Sequence, residues 1–372
     1  MRVATDIGGT FTDLVALNKN GELILGKADT TPKNFEEGIF NVLNQAKVNL
    51  KDMNMFIHGT TIVINALTEK KGVKTGLITT KGFRDVLELA RGNRPDLFNA
   101  RYKKPDPFVE RHLRREVSER MNHKGEITSG LVFDEVEEIL QDFKREGVKA
   151  VAISLLHSYQ NNDHERAIAY YINRYHPEFS ITYSTELNNE WREYERTSTA
   201  VLNAYVKPIA NDYLSNLERH ITEQSNSSNN YVMQSNGGTS TFEHAKRAPI
   251  NMVESGPVSG IFGAAVLGEL IGEENLIVLD IGGTTAKCSL IENNHVKVST
   301  DYHLEQTHNY AGYPMKVPVV DIVEIAMAAV QSPGSMTAVR LKSGLNLQAQ
   351  NLDRLPTAKA VQNLPPQMPI YY

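Results

Sequence analysis

Only one cysteine and one tryptophan occur among the 372 residues. The lone thiol, Cys288, excludes an internal disulfide framework and fits a reducing compartment. No apolar run approaches the roughly 20 residues that a membrane-spanning helix needs. The N-terminus enters a strand-like pattern at once, without the basic and apolar regions of a signal peptide. A basic excess is missing too, since the net charge is −5 with 22% charged residues. That balance gives no footprint for nucleic acid or for an anionic membrane surface. The expectation is a soluble cytoplasmic protein, long enough for two domains with full cores.

What the sequence does have is one glycine-rich signature, present twice. Asp6-Ile7-Gly8-Gly9-Thr10-Phe11-Thr12-Asp13 opens the chain, and Asp280-Ile281-Gly282-Gly283-Thr284-Thr285-Ala286-Lys287 repeats it. Each copy stands between two short apolar runs, Val3-Ala4 and Leu14 to Leu17 in the first, Leu276 to Leu279 and Cys288 to Ile291 in the second. Strand, glycine turn, strand reads as a hairpin. Glycines at the turn bare the backbone N–H groups, so an anion can approach closely. The hydroxyls of Thr10, Thr12, Thr284 and Thr285 add donors. Asp6 and Asp280 would repel a phosphate unless a divalent cation lay between them. A single Asp-x-Gly-Gly-Thr is equally an ordinary turn; two copies after apolar strands point to a nucleotide clamp.

Along the chain, strand and helix patterns alternate, which argues for α/β layers. Helical periodicity covers Phe35 to Val48, Phe83 to Ala90, Leu131 to Arg145, His164 to Arg174 and Thr197 to Leu217. Strand-like runs lie at 55–57, 75–79 and 150–156. Residues 93–109 read as a surface loop and 223–230 as a flexible polar one. A domain boundary is expected near residue 180. His58, before Gly59-Thr60-Thr61, is a candidate general acid–base or a turn hydrogen bond. Asn65 caps or packs its helix. Glu193, Glu195 and Arg196 form either a substrate cluster or a solvated helix start. Asn236-Gly237-Gly238 and Ser255-Gly256-Pro257 line a cleft or simply turn the chain. Trp191 is expected to pack, and Cys288 to be a small buried apolar residue.

These motifs in this order resemble the hydantoinase A/5-oxoprolinase family. The supporting stretches are Asp6 to Asp13, His58 to Thr61 with Asn65, Thr79 to Asp85, Glu193 to Thr199, Gln234 to Gly238, Ser255 to Pro257 and Asp280 to Thr285. The resemblance implies an α/β, actin-like ATPase (ribonuclease H-like) fold, with two related domains and nucleotide in the cleft. It implies ATP-dependent opening of a cyclic amide or imide such as hydantoin, N-methylhydantoin or 5-oxoproline. Phosphorylating the carbonyl oxygen would turn a poor leaving group into a good one and let water attack the carbon. Gly8, Gly9, Thr10, Gly282, Gly283 and Thr284 would hold phosphates. Asp6 and Asp280 would orient Mg²⁺, with Asp13 supporting the first loop or the metal. A hydantoinase B-type subunit is the implied partner. An ATP-dependent carboxylase subunit is an alternative in the same family. A small-molecule kinase would explain both hairpins but not His58 to Thr61 or Glu193 to Thr199.

The last stretch departs from the family pattern. Residues 326–372 contain no Glu, His, Phe or Trp, one Asp and five of the 15 prolines. Restoring one base after the Ile325 codon permits Ile-Gly-Asn-Gly-Gly-Gly-Ser, the family's glycine-rich continuation. The expected organisation is therefore 1–180 with the first phosphate hairpin, 181–325 with the second in an incomplete domain, and 326–372 as an out-of-frame tail. Low stability and little ATPase activity by the chain alone follow from that reading. A truncated, inactive fragment is thus the second functional expectation.

Overall fold

A computed structural model of the chain describes residues 1–31, 34–92, 98–225, 229–281, 285–307 and 309–326. It begins with strands β1 (Arg2–Ile7), β2 (Phe11–Leu17) and β3 (Leu23–Asp29), paired antiparallel in sequence through short turns. Alternation sets their faces: Val3, Thr5 and Ile7 point inward, as do Thr12, Leu14 and Ala16. Helix α1 (Phe35–Gln45) buries Ile39, Val42 and Leu43 against that inner face. Strand β4 (Met55–Thr60) then joins β1 in parallel, and helix α2 (Ile62–Thr68) leaves its end. The neighbour of β4 on its other side is Asn230–Met233, which carries Thr239–Thr241 as the far edge of a six-stranded sheet. This sheet draws on both sides of the expected division at residue 180.

A second unit is inserted within the first. Strands β5 (Thr75–Thr80), β6 (Arg114–Val117), Ala150–Ser154 and Ser180–Tyr183 form a wholly parallel sheet. Every residue of β5 and of Ala150–Ser154 is buried, as parallel strands between helical layers require. Helix Glu193–Gln224 ties the two units together. Tyr194, Val201 and Ala204 pack with the second sheet; Leu202, Val206, Tyr213, Leu217 and Ile221 pack with the first. Glu193 and Glu195 in its first turn complement the positive end of the helix dipole. Arg196 is almost fully buried and donates to the carbonyls of Leu155 and Glu190, so this helix start is not a solvated cluster. Trp191 is 64% exposed with the Arg192 guanidinium over its ring, so it does not pack into a core.

Helix Ser255–Ile271 leads into a copy of the opening unit. Leu276–Ile281 and Thr285–Glu292 pair antiparallel, and Val323–Ala326 adds to the second of them. Registers match strand for strand. Asp6 faces Asp13 and Asp280 faces Lys287; Phe11 faces Asp29 and Thr285 faces Ala326. Both hairpins read from the sequence are present, and the arrangement is that of the actin-like fold. The copy differs by the segment between its second and third strands. Leu304, Tyr313, Met315, Val317 and Val319 of that segment join the core of the first sheet. Lys70 reinforces this clamp, lying 4.1 Å and 4.4 Å from the ring centres of Phe108 and Tyr313.

One buried carboxylate holds the inserted unit. Glu165 accepts from the amides of Leu155 and Thr185 and from the hydroxyls of Ser158, Ser184 and Thr185, at 2.6–3.0 Å. Removing it strands five donors in the interior. Glu165→Leu is expected to cost about 3 kcal/mol or more, read as a lowered urea midpoint with unchanged slope. An unchanged midpoint would show that these donors find other partners.

Candidate functional site

The parallel pairing of β1 and β4 puts Asp6 beside Gly59 and Ile7 beside Thr60, at the carboxyl ends of both strands. That end of a sheet is where open α/β folds bind ligands. The N-terminus of helix Ser255–Ile271 closes the same corner. Ser255 Oγ donates to the Thr60 carbonyl at 3.0 Å. A Cβ on Gly59 would come within 2.6 Å of Asp6 Oδ1, and one on Gly256 within 3.2 Å of both its carboxylate oxygens. A side chain at Gly59 would force Asp6 to shift, and one at Gly256 would crowd it.

Asp6 is unusual in its environment. Its Oδ1 is buried and has no hydrogen-bond partner among the described residues. Burial first, then the charges of Asp13 and Asp280, push its pKa from the ordinary 3.8 up to about 6. Asp280 of the second hairpin is thus close enough for its charge to act on Asp6. Asp13 is exposed, faces Asp6 across the β1–β2 pair, and makes an ion pair of 3.4 Å with Lys27. Asp280 is exposed on the second hairpin and faces Lys287. Lys287 forms an ion pair with Glu254, whose other oxygen accepts from Tyr302 at 3.3 Å. Glu254 precedes the helix in the left-handed region, at φ 62°, a conformation that costs a non-glycine residue about 1 kcal/mol or more.

The first turn is held from behind. Gly8 N donates to Phe11 O at 2.9 Å, leaving Gly9 and Thr10 exposed at the tip. Thr30 Oγ1 donates to Gly8 O at 3.0 Å and accepts from Thr12 Oγ1 at 3.1 Å. Thr12 is thus buried on the inner face as a support of the turn, and its hydroxyl does not reach the cleft. A Cβ on Gly9 would meet nothing within 4 Å, so the space above that residue is open. Gly282, Gly283 and Thr284 lie outside the described residues; Thr285 begins the strand that follows them.

His58 does not join this group. It is fully buried one position before Gly59, with Nδ1 2.9 Å from Thr5 Oγ1 and Nε2 2.6 Å from Tyr213 Oη. Burial lowers its pKa to about 3. With both ring nitrogens engaged in the core, the general acid–base role expected of it does not fit. It is a neutral strut between β1, β4 and the long helix. Thr61, by contrast, donates to Ile7 O at 3.1 Å and accepts from Asn65 at 3.1 Å, so Asn65 secures the turn beside Asp6. Sequence reasoning missed Glu254 and Lys287. The change from Asp13 to Lys287 within the repeat was the available signal.

Three carboxylates offer hard oxygen donors suited to Mg²⁺, and the unpartnered Oδ1 of Asp6 is the best placed. Among the described residues no cluster of three or more potential ligands occurs. Mg²⁺ in nucleotide sites uses one or two carboxylates and completes its shell with water and phosphate oxygens, so the donor set fits.

Residues 2–176 match the family described as the hydantoinase/oxoprolinase N-terminal region, and residues 196–351 match hydantoinase/oxoprolinase. An uncharacterised protein of Methanocaldococcus jannaschii is 38% identical over 335 residues, 87% of this chain and 49% of the relative. The caprolactamase subunit alpha of Pseudomonas jessenii is 31% identical, over 86% of this chain and 47% of its own. The crystal structure of that ATP-dependent caprolactamase superposes with a TM-score of 0.77 at 30% identity, over 87% of this chain and 48% of the other. The nucleotide-free structure of acetone carboxylase, an enzyme of ATP-dependent acetone carboxylation, gives 0.77 at 26% identity, over 88% and 48%. The chain spans about half the length of the curated relatives it matches.

Two outcomes follow from the burial of these groups. A raised carboxyl pKa favours the fold below about pH 4 and withdraws that support as pH rises through 6. Asp6→Asn is therefore expected to raise stability at pH 7 by about 2 kcal/mol, with the gain vanishing near pH 4. Melting at both pH values measures it; a destabilised variant at pH 7 would mean that Asp6 is satisfied in solution. The His58 imidazole is expected not to titrate between pH 5 and 8 in ¹⁵N-edited NMR. A midpoint near the ordinary 6.5 would return it to the acid–base candidates.

Proposed function

The chain belongs to the hydantoinase/oxoprolinase family, and from that premise we propose that it binds ATP with Mg²⁺ for phosphorylation of a carbonyl oxygen. The substrate class is a cyclic amide, with hydrolytic ring opening to follow. The observation that carries this reading is the pair of hairpins in matching register, with the unsatisfied Asp6 carboxylate oxygen at the end of the first, beside a helix N-terminus and within range of the Asp280 charge.

Each step asks something definite of this chain. The amides of Gly9 and Thr10 donate to phosphate oxygens at the open tip of the first turn. The repeat assigns the same role to Gly282, Gly283 and Thr284, which lie outside the described residues. Gly59 and Gly256 keep side chains away from Asp6, so its carboxylate stays accessible as one of the groups that would hold Mg²⁺. Mg²⁺ supplies charge neutralisation for the transferred phosphoryl group. Asp6 and Asp280 would hold it, and Asp13 would add to the local negative charge. In the reaction, the amide oxygen attacks the γ-phosphorus and ADP departs. Water then adds to the activated carbon, the ring C–N bond breaks as nitrogen takes a proton, and a second water hydrolyses the resulting acyl phosphate to carboxylate and free phosphate. The carboxylase relatives support a second outcome for the same intermediate chemistry, in which carboxylation of a ketone replaces hydrolysis. Relatives named as alpha, beta and gamma subunits support a partner subunit of hydantoinase B type.

The test is nucleotide binding followed by phosphate release. Titration with a fluorescent ATP analogue and Mg²⁺ is expected to saturate. Gly9→Ala should weaken it at least tenfold while leaving the melting temperature unchanged or higher, because the added methyl meets only the ligand. Gly59→Ala should lower both, since its Cβ would strike Asp6. With the partner subunit present, phosphate release is to be followed with hydantoin, 5-oxoproline, caprolactam, and acetone plus bicarbonate. Asp6→Asn should reduce it about a hundredfold or more. Absence of ATP binding by the folded chain would sink the proposal; release only with ketone and bicarbonate would replace hydrolysis by carboxylation.

A further inference from the structure

The wholly parallel sheet of the inserted unit has its own reversal of strand order. From β5 the chain passes to β6 on one side, then returns to Ala150–Ser154 on the other. The loops that leave β5 and Ala150–Ser154 therefore part in opposite directions. A crevice outside the carboxyl ends of such a strand pair is where open parallel sheets take ligands. A cleft of about 410 Å³ opens at the loop that leaves Ala150–Ser154, and its walls include Lys124, Tyr159, Gln160, Asn162, Asp163 and Asn189. It shares no residue with the corner around Asp6.

Positive groups gather at this end of the sheet. Arg120 lies beyond the end of β5, donating to the Lys81 carbonyl at 3.5 Å, with its guanidinium 5.4 Å from the ring centre of Phe83. Arg196 is 2% exposed, and its Nε is buried without a hydrogen-bond partner among the described residues. Its guanidinium lies 5.8 Å from the ring centre of Tyr159, in the cleft wall. The His157 ring is 6.0 Å from the same tyrosine. His157 holds φ 58°, in the left-handed region that costs a non-glycine residue about 1 kcal/mol or more. Burial first, and then the charges of His123, Arg196 and Arg120 against that of Glu193, hold its pKa below the ordinary 6.5. Among the permanent charges that line the cleft or act on His157, Arg120, Lys124 and Arg196 stand against Asp163 and Glu193, which leaves one positive charge over. Helix Asp163–Tyr175 starts in the wall and adds the positive end of its dipole.

We propose that this cleft, at the strand-order reversal of the inserted sheet, binds a small carboxylate monoanion that also carries an amide. The single excess charge sets the first part. A monoanion balances the group, whereas a dianion such as phosphate meets the repulsion of Asp163 and Glu193 with nothing left to offset it. The lining sets the second part. Gln160, Asn162 and Asn189 carry side-chain amides, each both donor and acceptor, which is the complement of another amide. An apolar ligand is poorly served, because Tyr159 is the one aromatic residue among those lining the cleft. Arg196 attracts the anion from within the wall, where solvent ions screen it little. Lys124, exposed at the rim, supplies the charge that meets the carboxylate.

The experiment is calorimetric titration of the full chain with N-acetylglycine, beside its neutral counterpart N-acetylglycinamide and inorganic phosphate. The carboxylate is expected to bind about tenfold or more tighter than either. Lys124→Gln and Arg120→Gln should each weaken it about fivefold or more, and Asp163→Asn should tighten it about twofold or more. Lys144→Gln, at an exposed ion pair with Glu178 on another helix, should change nothing. Arg196 is left intact, because truncating it would strand the buried Leu155 carbonyl. The proposal is overturned if N-acetylglycine does not bind, if the neutral amide or phosphate binds as tightly, or if the three cleft substitutions leave the affinity unchanged while the chain melts normally. Displacement of N-acetylglycine by ATP with Mg²⁺ also overturns it, and assigns the anion to the corner around Asp6. The titration itself contains no nucleotide, so its result stands apart from the ATP reading.

Discussion

A carboxylate that the protein does not satisfy by itself lies where its parts converge. Asp6 Oδ1 is buried without a hydrogen-bond partner among the described residues, and two further carboxylates raise the cost of its charge. Folding must bring β1, β4, the helix start at Ser255 and the second hairpin together around this group. Two of them contribute by withholding something: Gly59 and Gly256 have no side chain where one would crowd it. A site that stores unfavourable electrostatics in its free state is set to gain from a cation, because the ligand removes the penalty that the fold retains.

The surroundings of Asp6 supply the rigidity that this requires. His58, Thr5 and Tyr213 form a buried chain of hydrogen bonds across β1, β4 and the long helix. Thr12 and Thr30 hold the Gly8 carbonyl from below, and Thr61 holds that of Ile7. The exposed tip of the first turn is therefore carried by residues whose own polar atoms point away from it. On the other side, Glu254 keeps a left-handed backbone because Lys287 and Tyr302 both bind its carboxylate. That ion pair joins the second hairpin to the helix start beside Asp6. It couples the position of one signature to the other, and a hinge between the units would have to break or carry it.

Local pattern carried the hairpins and little of what joins them. The apolar runs around each Gly-Gly turn specified two antiparallel pairs, and their registers coincide. The same locality hid the role of His58, whose partners Thr5 and Tyr213 come from distant segments. It also hid the completion of the first sheet, since Asn230–Met233 pairs with β4 only after a whole parallel unit has been inserted between them. A division at residue 180 follows the chain, whereas the sheets follow long-range pairing. Arg196 reads as a surface charge beside Glu193 and Glu195, yet it is buried because two carbonyls converge on it. Composition describes the residues, not the backbone acceptors that tertiary structure brings to them.

Duplication explains why the two halves of the site are unequal. Both hairpins have the same strands, but the first is enclosed by helices that its own continuation provides. The second spends its link between strands on a segment that packs back on the first core, through Leu304, Tyr313 and Met315. That clamp fixes the second signature against the first without covering Ile277 and Leu279. Position and burial thus differ between the copies: the surroundings of Asp6 are packed, while Ile277 and Leu279 on the strand that leads to Asp280 are exposed.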